Sequence, residues 1–426
     1  MGRLLNLGFG VASLALATGF VVSQSAKTTS AETAAHRFQP MRGINLDIWA
    51  EKPVVADAAP KLDAAQPYAG WHRPVSADQL RALHRQGYDF ARLPIDPAPL
   101  LQLGPGAAQD LEIANIAKAA VAVEETGLKV IVDLHSYHRH QDHWGVDDVL
   151  GDPQLFDAYT IVLGKVAAKL TGLDPDRTAL ELLNEPSIDC KAVKGGATAL
   201  WPTEQKKLHA TARAAAPDLP LVLTGACWGS AEALATLDPA DVADDNILWS
   251  FHSYTPFIFT DQGTTETGRL DATIRHLPFP PDLLSAEAAD SVAQNAVALA
   301  LQRNFKTTPA ATLPNLQSAM AAYRATPDGR VGDDATLVAK WADAHHIPHN
   351  RLIMGEFGAN HAPGNDLAAD RDSRLRFLGA KRRSAEALGI GWAVWAWAGT
   401  YGVVRDEVSR APDADICAAL GIGPCD

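Results

Sequence analysis

The sequence lacks the charge pattern of a nucleic-acid-binding protein and the composition of a disordered one. Its 426 residues carry 50 acidic against 37 basic side chains, and no large basic patch is present. Apolar residues make up 47% of the chain, far more than in a disordered sequence, and no collagen-like repeat occurs. The composition therefore predicts a folded protein with a large core and no nucleic-acid partner.

Long apolar runs are also missing, except at the start of the chain. Arg3 precedes a mostly apolar stretch at 4–22, and small and polar residues follow at 23–35. This order is typical of a secretory signal peptide. An uncleaved anchor helix is the alternative, but Asn6 and three glycines interrupt a stretch that would need about 20 apolar residues to span a bilayer. We expect 1–35 to be a signal peptide with a disordered segment. The mature protein is expected to be secreted or periplasmic, without stable membrane insertion.

Cysteine is scarce, and no Cys-x-x-Cys motif suggests a metal or redox centre. The four residues Cys190, Cys227, Cys417 and Cys425 allow three disulfide connectivities in an exported chain. A bond between Cys417 and Cys425 is sterically simple, which leaves Cys190 to pair with Cys227. Four free thiols are the alternative.

Short apolar runs alternate with longer segments of helical periodicity from residue 42 onwards. The predicted strands are Arg42–Leu46, Phe90–Ile95, Lys129–His135, Ala179–Asn184, Pro220–Thr224, Ile247–Tyr254, Arg351–Phe357 and Gly391–Trp397. The predicted helices between them are Ser76–Gln86, Ala108–Thr126, Pro153–Leu170, Pro202–Ala215 and Arg371–Leu388. This alternation indicates an α/β fold, and eight strands favour a closed (β/α)₈ TIM barrel. A doubly wound open sheet is the alternative, but its usual Gly-rich phosphate loop is absent.

The sixth and seventh predicted strands are separated by nearly a hundred residues, more than one loop and one helix require. The segment contains the helical patterns Ser285–Arg303 and Leu313–Arg324 and little strand pattern. We therefore predict a single barrel domain at 36–426 with a helical insertion at about 262–345. The insertion either walls part of a cleft or covers the side of the barrel.

Polar side chains are concentrated near the carboxyl ends of the predicted strands, which converge on one face of a barrel. They are Arg92, Asp133, His135, Asn184, Glu185, His252, Tyr254, Glu356 and Trp395. The ends of strands four and seven lie across the barrel mouth, so Glu185 and Glu356 could face one bond from opposite sides. Hydrolysis of a glycosidic bond needs such a pair: an acid that protonates the leaving oxygen, and a carboxylate that attacks or activates water.

Seven short segments contain most of these residues in a characteristic order. They are Arg42–Asn45, Arg92–Pro94, Asp133–Tyr137, Leu182–Pro186, His252–Pro256, Gly355–Gly358 and Trp392–Trp397. In this order the chain resembles glycoside hydrolase family 5, the cellulase-type barrels with glutamates on strands four and seven, over roughly 40–400. It departs from the family pattern in the long insertion and in Ala396, where many relatives carry a polar residue.

The resemblance implies roles for the two glutamates and their supports. Glu185 corresponds to the acid/base and Glu356 to the nucleophile of a retaining enzyme, with carboxyl groups about 5 Å apart. Arg92 would favour the ionised form of Glu356, and Tyr254 would hold it. Asn184 would bond the sugar 2-hydroxyl.

The remaining site residues would contact the sugar. The resemblance implies that His135 and His252 bind sugar hydroxyls or support the glutamates, and that Trp395 forms the floor of the subsite before the scissile bond. Trp228, which follows the fifth strand, is a second predicted platform because aromatic rings stack on the apolar faces of sugars.

The histidines His135, His138, His140 and His143 crowd within nine residues and could bind zinc. A loop run does not guarantee converging ligands, so neither a metal nor a cofactor is expected. The expectation is a monomeric, exported, retaining endo-β-glycosidase with a polysaccharide substrate, and β-1,4-glucan is the expected polysaccharide. A β-mannanase, a β-1,3-glucanase, a transglycosylase and a non-catalytic polysaccharide-binding barrel are the alternatives.

Overall fold

The computed structural model describes residues 38–47, 49, 75–136, 144–195, 199–264, 271–361, 368–406 and 408–425. The chain divides into units at Met1–Ala35 and His36–Asp426. The first unit, the predicted signal peptide, lies outside the described residues, so both the signal and its boundary stay predictions. In the described part of the chain, no helix combines the length and apolarity that crossing a bilayer requires.

Eight parallel strands close into a barrel in chain order, with β8 pairing back onto β1. They are β1 Arg42–Asn45, β2 Phe90–Ile95, β3 Lys129–Leu134, β4 Thr178–Glu181, β5 Leu221–Thr224, β6 Ile247–His252, β7 Leu352–Glu356 and β8 Gly391–Val394. The predicted barrel is therefore confirmed. Several strands end up to three residues earlier than predicted, so that Asn184 and Trp395 lie in the loops that follow them.

The inner face of the barrel changes from apolar to polar towards the carboxyl ends of the strands. Its lower layer is a separate apolar cluster of Phe38, Phe90, Ile131, Ala179, Val222, Leu248, Ile353 and Ala393. Successive inward side chains are two residues apart along a strand. The next layer is therefore formed by Asn45, Arg92, Asp133, Glu181, Thr224, Ser250 and Gly355. A Cβ atom at Gly43 would lie 2.1 Å from the ring of Phe90, so only glycine leaves room for that ring.

Helices pack around the barrel through a continuous apolar shell. They are α1 Ala77–Arg85, α2 Ala98–Leu103, α3 Ala107–Glu124, α4 Val146–Gly151, α5 Pro153–Leu170, α6 Cys190–Val193, α7 Trp201–Ala215, α8 Ala226–Gly229, α9 Ala231–Leu234, α10 Phe257–Thr260, α11 Ala286–Gln302, α12 Pro309–Arg324, α13 Asp333–Ala344, α14 Arg371–Glu386 and α15 Ala414–Leu420. Ser76 and Gln79 form a reciprocal capping box that begins α1.

The long connection between β6 and β7 is helical, as predicted. α13 contacts α9 and β7, which is the position of the helix that a (β/α) unit requires. The additional element is therefore the pair α11 and α12, which pack against each other. α12 begins at Pro309, four residues before the predicted start, because Thr308 caps it and proline suits the first turn.

Both predicted disulfides are present. Cys190 and Cys227 join the loops after β4 and β5, with their Cα atoms 4.7 Å apart. Cys417 and Cys425 close a short loop at the C-terminus, with their Cα atoms 6.4 Å apart. The two bonds thus lie in different settings, one at the carboxyl ends of the strands and one beside α15.

Candidate active site

Arg92 is the centre of a buried hydrogen-bond cluster at the mouth of the barrel. Its side chain is 0% exposed. Nε and Nη2 donate to the two carboxylate oxygens of Glu181 at 2.7 and 3.0 Å. Nη1 donates to Glu356 Oε1 at 2.9 Å, and Nη2 lies 2.9 Å from Asp133 Oδ2. Nη groups also donate to the amide oxygens of Asn45 at 3.0 Å and Asn184 at 2.7 Å. One guanidinium therefore faces three carboxylates.

A chain of hydrogen bonds runs from Asp133 through His135 to Asn184. His135 Nδ1 lies 2.6 Å from Asp133 Oδ2, and Asn184 Nδ2 lies 3.1 Å from His135 Nε2. The carboxylate partner assigns the imidazole proton to Nδ1, so that Nε2 accepts from the amide of Asn184. The His135 ring also stacks on Trp395, with centroids 5.2 Å apart and planes 15° apart. Asn184 and Trp395 are thus both oriented by His135.

Glu356 is fixed at both carboxylate oxygens. Arg92 donates to Oε1, and the Tyr254 hydroxyl donates to Oε2 at 2.8 Å. Burial raises the pKa of Glu356, and the negative charge of Glu185 raises it further; His252 and Arg92 act in the opposite direction. The side chain is only 5% exposed, so water contributes little to its orientation.

Glu185 occupies the other side of the mouth in a more open setting. Its side chain is 25% exposed, and its Oε1 lies 2.6 Å from His252 Nδ1. Glu185 lies in the loop after β4, and its backbone has a left-handed φ of 44°. His252 Nδ1 also lies 3.6 Å from Glu356 Oε2. Burial lowers the pKa of His252, and the negative charge of Glu356 opposes this shift.

The two carboxyl groups converge. One oxygen of Glu185, one of Glu356 and a ring nitrogen of His252 all lie within 4.8 Å of one another. Among the described residues this group has the donor types of a metal site, but its atoms are already engaged with one another. The predicted zinc alternative depends on His138, His140 and His143, which lie outside the described residues.

Eight of the nine predicted site residues form one connected cluster, namely Arg92, His135, Asn184, Glu185, His252, Tyr254, Glu356 and Trp395. Trp228 lies on the neighbouring loop, where its backbone N–H donates to the carbonyl of Pro186 at 3.0 Å. Its side chain is half-buried.

Three further residues of this region, Glu181, Asn45 and Tyr401, were not predicted as site residues from the sequence. Glu181 and Asn45 lie in the polar layer and hold Arg92. Each occupies an inward-facing strand position, and the two-residue spacing of such positions is the sequence pattern that could have identified them. Tyr401 packs edge-on against Tyr254, with centroids 6.0 Å apart, and donates to Asp261 Oδ1 at 2.9 Å. It lies in an irregular loop after β8, where no periodicity identifies it.

Residues 52–400 match the family described as cellulase, glycosyl hydrolase family 5. The chain belongs to glycosyl hydrolase family 5. Among curated family relatives, Endoglucanase 3 of Fibrobacter succinogenes is 26% identical over 299 residues, covering 70% of this chain and 40% of the relative. Cellodextrinase A of Ruminococcus flavefaciens is 26% identical over 194 residues, covering 45% of this chain and 55% of the relative. The chain thus spans about half or less of either relative.

Solved structures share the family 5 fold across the chain. An endoglucanase is 19% identical with a TM-score of 0.61, over 91% of this chain and 98% of its own. The cellulose synthase subunit Z of Clostridioides difficile is 19% identical with a TM-score of 0.62, over 90% and 99%. Thermotoga maritima Cel5A in complex with mannotriose is 16% identical with a TM-score of 0.61, over 91% and 98%. At these identities the likeness shows the barrel fold.

Proposed function

We propose that this family 5 chain is a retaining endo-β-glycosidase that cleaves β-1,4-glucan by double displacement. The observation that carries the proposal is the convergence of Glu185 and Glu356 to within 4.8 Å at the barrel mouth. Retaining glycosidases hold their carboxyl groups about 5–5.5 Å apart, whereas inverting enzymes need about 6.5–9.5 Å to admit a water molecule.

In the first step, the Glu356 carboxylate attacks the anomeric carbon while the bond to the leaving oxygen breaks. Arg92 and Tyr254 direct hydrogen bonds at the two oxygens of Glu356, which favour its ionised form against the rise in pKa that burial causes. Glu185 gives its proton to the leaving oxygen. Its greater exposure suits it to a group that must meet the incoming polymer.

In the second step, Glu185 takes a proton from water, whose oxygen attacks the same carbon and releases Glu356. Two inversions at one carbon retain its configuration. His252 lies against both carboxylates, with its Nδ1 2.6 Å from Glu185 Oε1 and 3.6 Å from Glu356 Oε2. This step restores both glutamates to their starting protonation states.

The sugar before the scissile bond would stack on Trp395 and bond to Asn184. The amide of Asn184 is held at its oxygen by Arg92 and at its nitrogen by His135. The nitrogen carries a second hydrogen, which can donate to the sugar 2-hydroxyl, a contact that strengthens in the transition state. Trp228 would supply a further stacking platform on the side of Glu185.

The names of the relatives support a β-1,4-glucan substrate. One curated relative is named an endoglucanase and another a cellodextrinase. Thermotoga maritima Cel5A is described in complex with cellobiose and with mannotriose, which makes a β-mannan the second candidate substrate. Incubation with carboxymethyl cellulose, lichenan, laminarin, glucomannan and xyloglucan, followed by product analysis, separates these candidates. A high acceptor concentration in the same assay distinguishes glycosyl transfer from hydrolysis.

Substitution of the two glutamates tests the mechanism. Glu185→Gln should lower kcat/KM for cellotetraose by about 10²–10⁴-fold, because the leaving sugar needs a proton. It should spare kcat/KM for 2,4-dinitrophenyl β-cellobioside, whose leaving group needs none. Glu356→Gln should abolish cleavage of both, because no glycosyl-enzyme can form. Glu232→Gln makes the same change at the exposed position of α9 and serves as the control.

Proton NMR of fresh products should show the β-anomer first. An initial α-anomer, or full activity of Glu356→Gln on any glycoside, would remove the proposal. Export is part of the same proposal, and it is supported by the two disulfides, which persist in oxidising compartments. The N-terminal sequence of protein recovered outside the cytoplasm tests it.

A further inference from the structure

The loops after β4 and β5 carry an unusual concentration of left-handed residues. Glu185 and Asp189 have φ of 44° and 66°, and Cys227 and Trp228 have φ of 49° and 64°. None of these is glycine, so each conformation costs energy and persists only where its surroundings enforce it. The position of the Glu185 carboxyl group therefore depends on whatever holds these two loops together.

Two backbone hydrogen bonds and one covalent bond join the loops. Cys227 N–H donates to the Ile188 carbonyl, and Trp228 N–H donates to the Pro186 carbonyl, both at 3.0 Å. The Cys190–Cys227 disulfide adds a covalent link between the same two loops. Pro186 directly follows Glu185, so any movement of the β5 loop is passed to the backbone of Glu185.

Each loop is also held against a neighbouring helix, the β4 loop at the start of α7 and the β5 loop at α9. Asp189 Oδ2 accepts from the backbone N–H groups of Leu200 and Trp201 at 2.7 Å each. The β5 loop is pressed against α9, because a Cβ atom at Gly225 would lie 2.3 Å from Leu234 N. The disulfide thus links two loops that other contacts already hold in place. The two loops and the disulfide between them form the loop frame.

The two glutamates differ in how they are held. Glu356 is on β7, is buried, and is fixed by Arg92 and Tyr254. Glu185 follows β4 in a loop, is 25% exposed, and bonds His252 through Oε1. Loss of the loop frame should therefore misplace Glu185 and leave Glu356 unaffected.

We infer that Cys190 and Cys227 are positioning residues, whose bond holds the carboxyl group of Glu185 at the leaving oxygen. The inference rests on the proposed function. Protonation of the leaving group should then depend on this disulfide, and nucleophilic attack should not. The Cys417–Cys425 bond, beside α15, offers a matched control within the same chain.

The test compares two double variants, Cys190→Ser/Cys227→Ser and Cys417→Ser/Cys425→Ser, at a temperature where circular dichroism shows both folded. Removing the first bond should lower kcat/KM for cellotetraose by about tenfold to a hundredfold, because a displaced general acid forfeits part of its contribution. Its kcat/KM for 2,4-dinitrophenyl β-cellobioside should change by less than about threefold. The control variant should keep the wild-type ratio of the two values.

A cycle with Glu185→Gln shows whether the effect passes through that residue. In the Glu185→Gln background, removing the Cys190–Cys227 bond should not lower kcat/KM for 4-nitrophenyl β-cellobioside further. If the serine variant does not fold, wild-type enzyme treated with reductant under native conditions replaces it, with thiol alkylation and mass spectrometry to identify the opened bond.

The outcomes separate the two hypotheses. Equal losses on both substrates, or an unchanged ratio, contradict the positioning role while leaving the proposed function standing. Failure of the wild-type enzyme to cleave any β-glycan contradicts the proposed function itself. A loss on cellotetraose that spares 2,4-dinitrophenyl β-cellobioside and is absent from the control variant, with no further loss on 4-nitrophenyl β-cellobioside in the Glu185→Gln background, supports the inference.

Discussion

Two buried cations lie on either side of the strand wall, and their surroundings differ. Arg92, inside the barrel, faces the three carboxylates of Asp133, Glu181 and Glu356. Lys381, on α14, donates to Ser253 Oγ at 2.6 Å and lies 3.7 Å from the single carboxylate of Asp334. The cluster inside the barrel therefore holds excess negative charge, and the outer cluster is balanced.

The excess charge has a direct electrostatic consequence. Burial raises the pKa of Asp133 to about 6, although Arg92 opposes this shift. Burial also raises the pKa values of Glu181 and Glu356. Around Lys381, burial lowers the pKa to about 8, and Asp334 only partly offsets it. A balanced ion pair can serve as a structural link. The crowded carboxyl groups inside the barrel have raised pKa values, so they can exchange protons closer to neutral pH.

Removing the inner cation should have the largest effect. Arg92→Met leaves three carboxylates buried without a partner, which should destabilise the fold by about 3–5 kcal/mol. Activity should fall by more than about 10²-fold at a temperature where the variant is folded, because Glu356 loses a charged hydrogen bond. Denaturant unfolding and kcat/KM measure the two effects.

Arg92→Lys is the matched control for charge alone. It keeps one positive charge but cannot reproduce the planar fork that reaches five residues. It should recover part of the stability and little of the activity. Wild-type activity in Arg92→Met would show that the inner cluster has no role in the reaction.

Removing the outer cation should affect stability and spare activity. Lys381→Met leaves Asp334 with only the Ser253 hydroxyl in this cluster, which should cost about 1–3 kcal/mol. Where the variant is folded, kcat/KM should change by less than about threefold, since Lys381 reaches none of the inner residues. A large activity loss without a stability change would contradict the distinction between the clusters.

The pH dependence of stability gives the same comparison a finer test. The folded-state pKa of Lys381 is about 8, below its ordinary value of 10.5, so the unfolded chain binds its proton more tightly. This residue therefore makes stability fall as pH drops from about 10.5 to 8, and Lys381→Met should remove that slope. Denaturant unfolding of both proteins across this range measures the difference.

The smallest expected effect concerns the acid side of the pH–activity profile. In the proposed mechanism Glu356 attacks in its ionised form, so kcat/KM should fall as pH falls through its raised pKa. Tyr254→Phe removes a donor to the ionised form and should move this limb upward by about one pH unit. Tyr401→Phe is the control, because it keeps the ring that packs against Tyr254 and removes a hydroxyl that donates to Asp261. The acid limb of its pH–activity profile should not move. A downward shift in Tyr254→Phe would contradict the assigned hydrogen bond.

The barrel could be predicted because its signals are local. Alternating strand and helix patterns placed all eight strands within three residues of their observed ends. The polar residues that follow the apolar runs, such as Arg92 and Glu356, could be recognised in the same way. Both disulfides followed from the small number of possible pairings.

Other features depend on contacts that no local pattern contains. Lys381 and Ser253 are 128 residues apart, and each alone resembles an ordinary helix or strand residue. The left-handed turn at Glu185 and the contact of Trp228 with Pro186 arise from loop packing after the strands have ended. The added pair α11 and α12 was recognised as helical, but the assignment of α13 to the barrel itself required the packing against β7.

The stacking of His135 on Trp395 has a consequence for recognition. One face of the indole is covered by the imidazole, which is itself tethered to Asp133. The indole is therefore immobilised before any ligand arrives, and under the proposed function only its opposite face would receive a pyranose ring. Because the loss of side-chain freedom has already occurred on folding, docking a sugar there costs less conformational entropy than it would on a mobile aromatic ring.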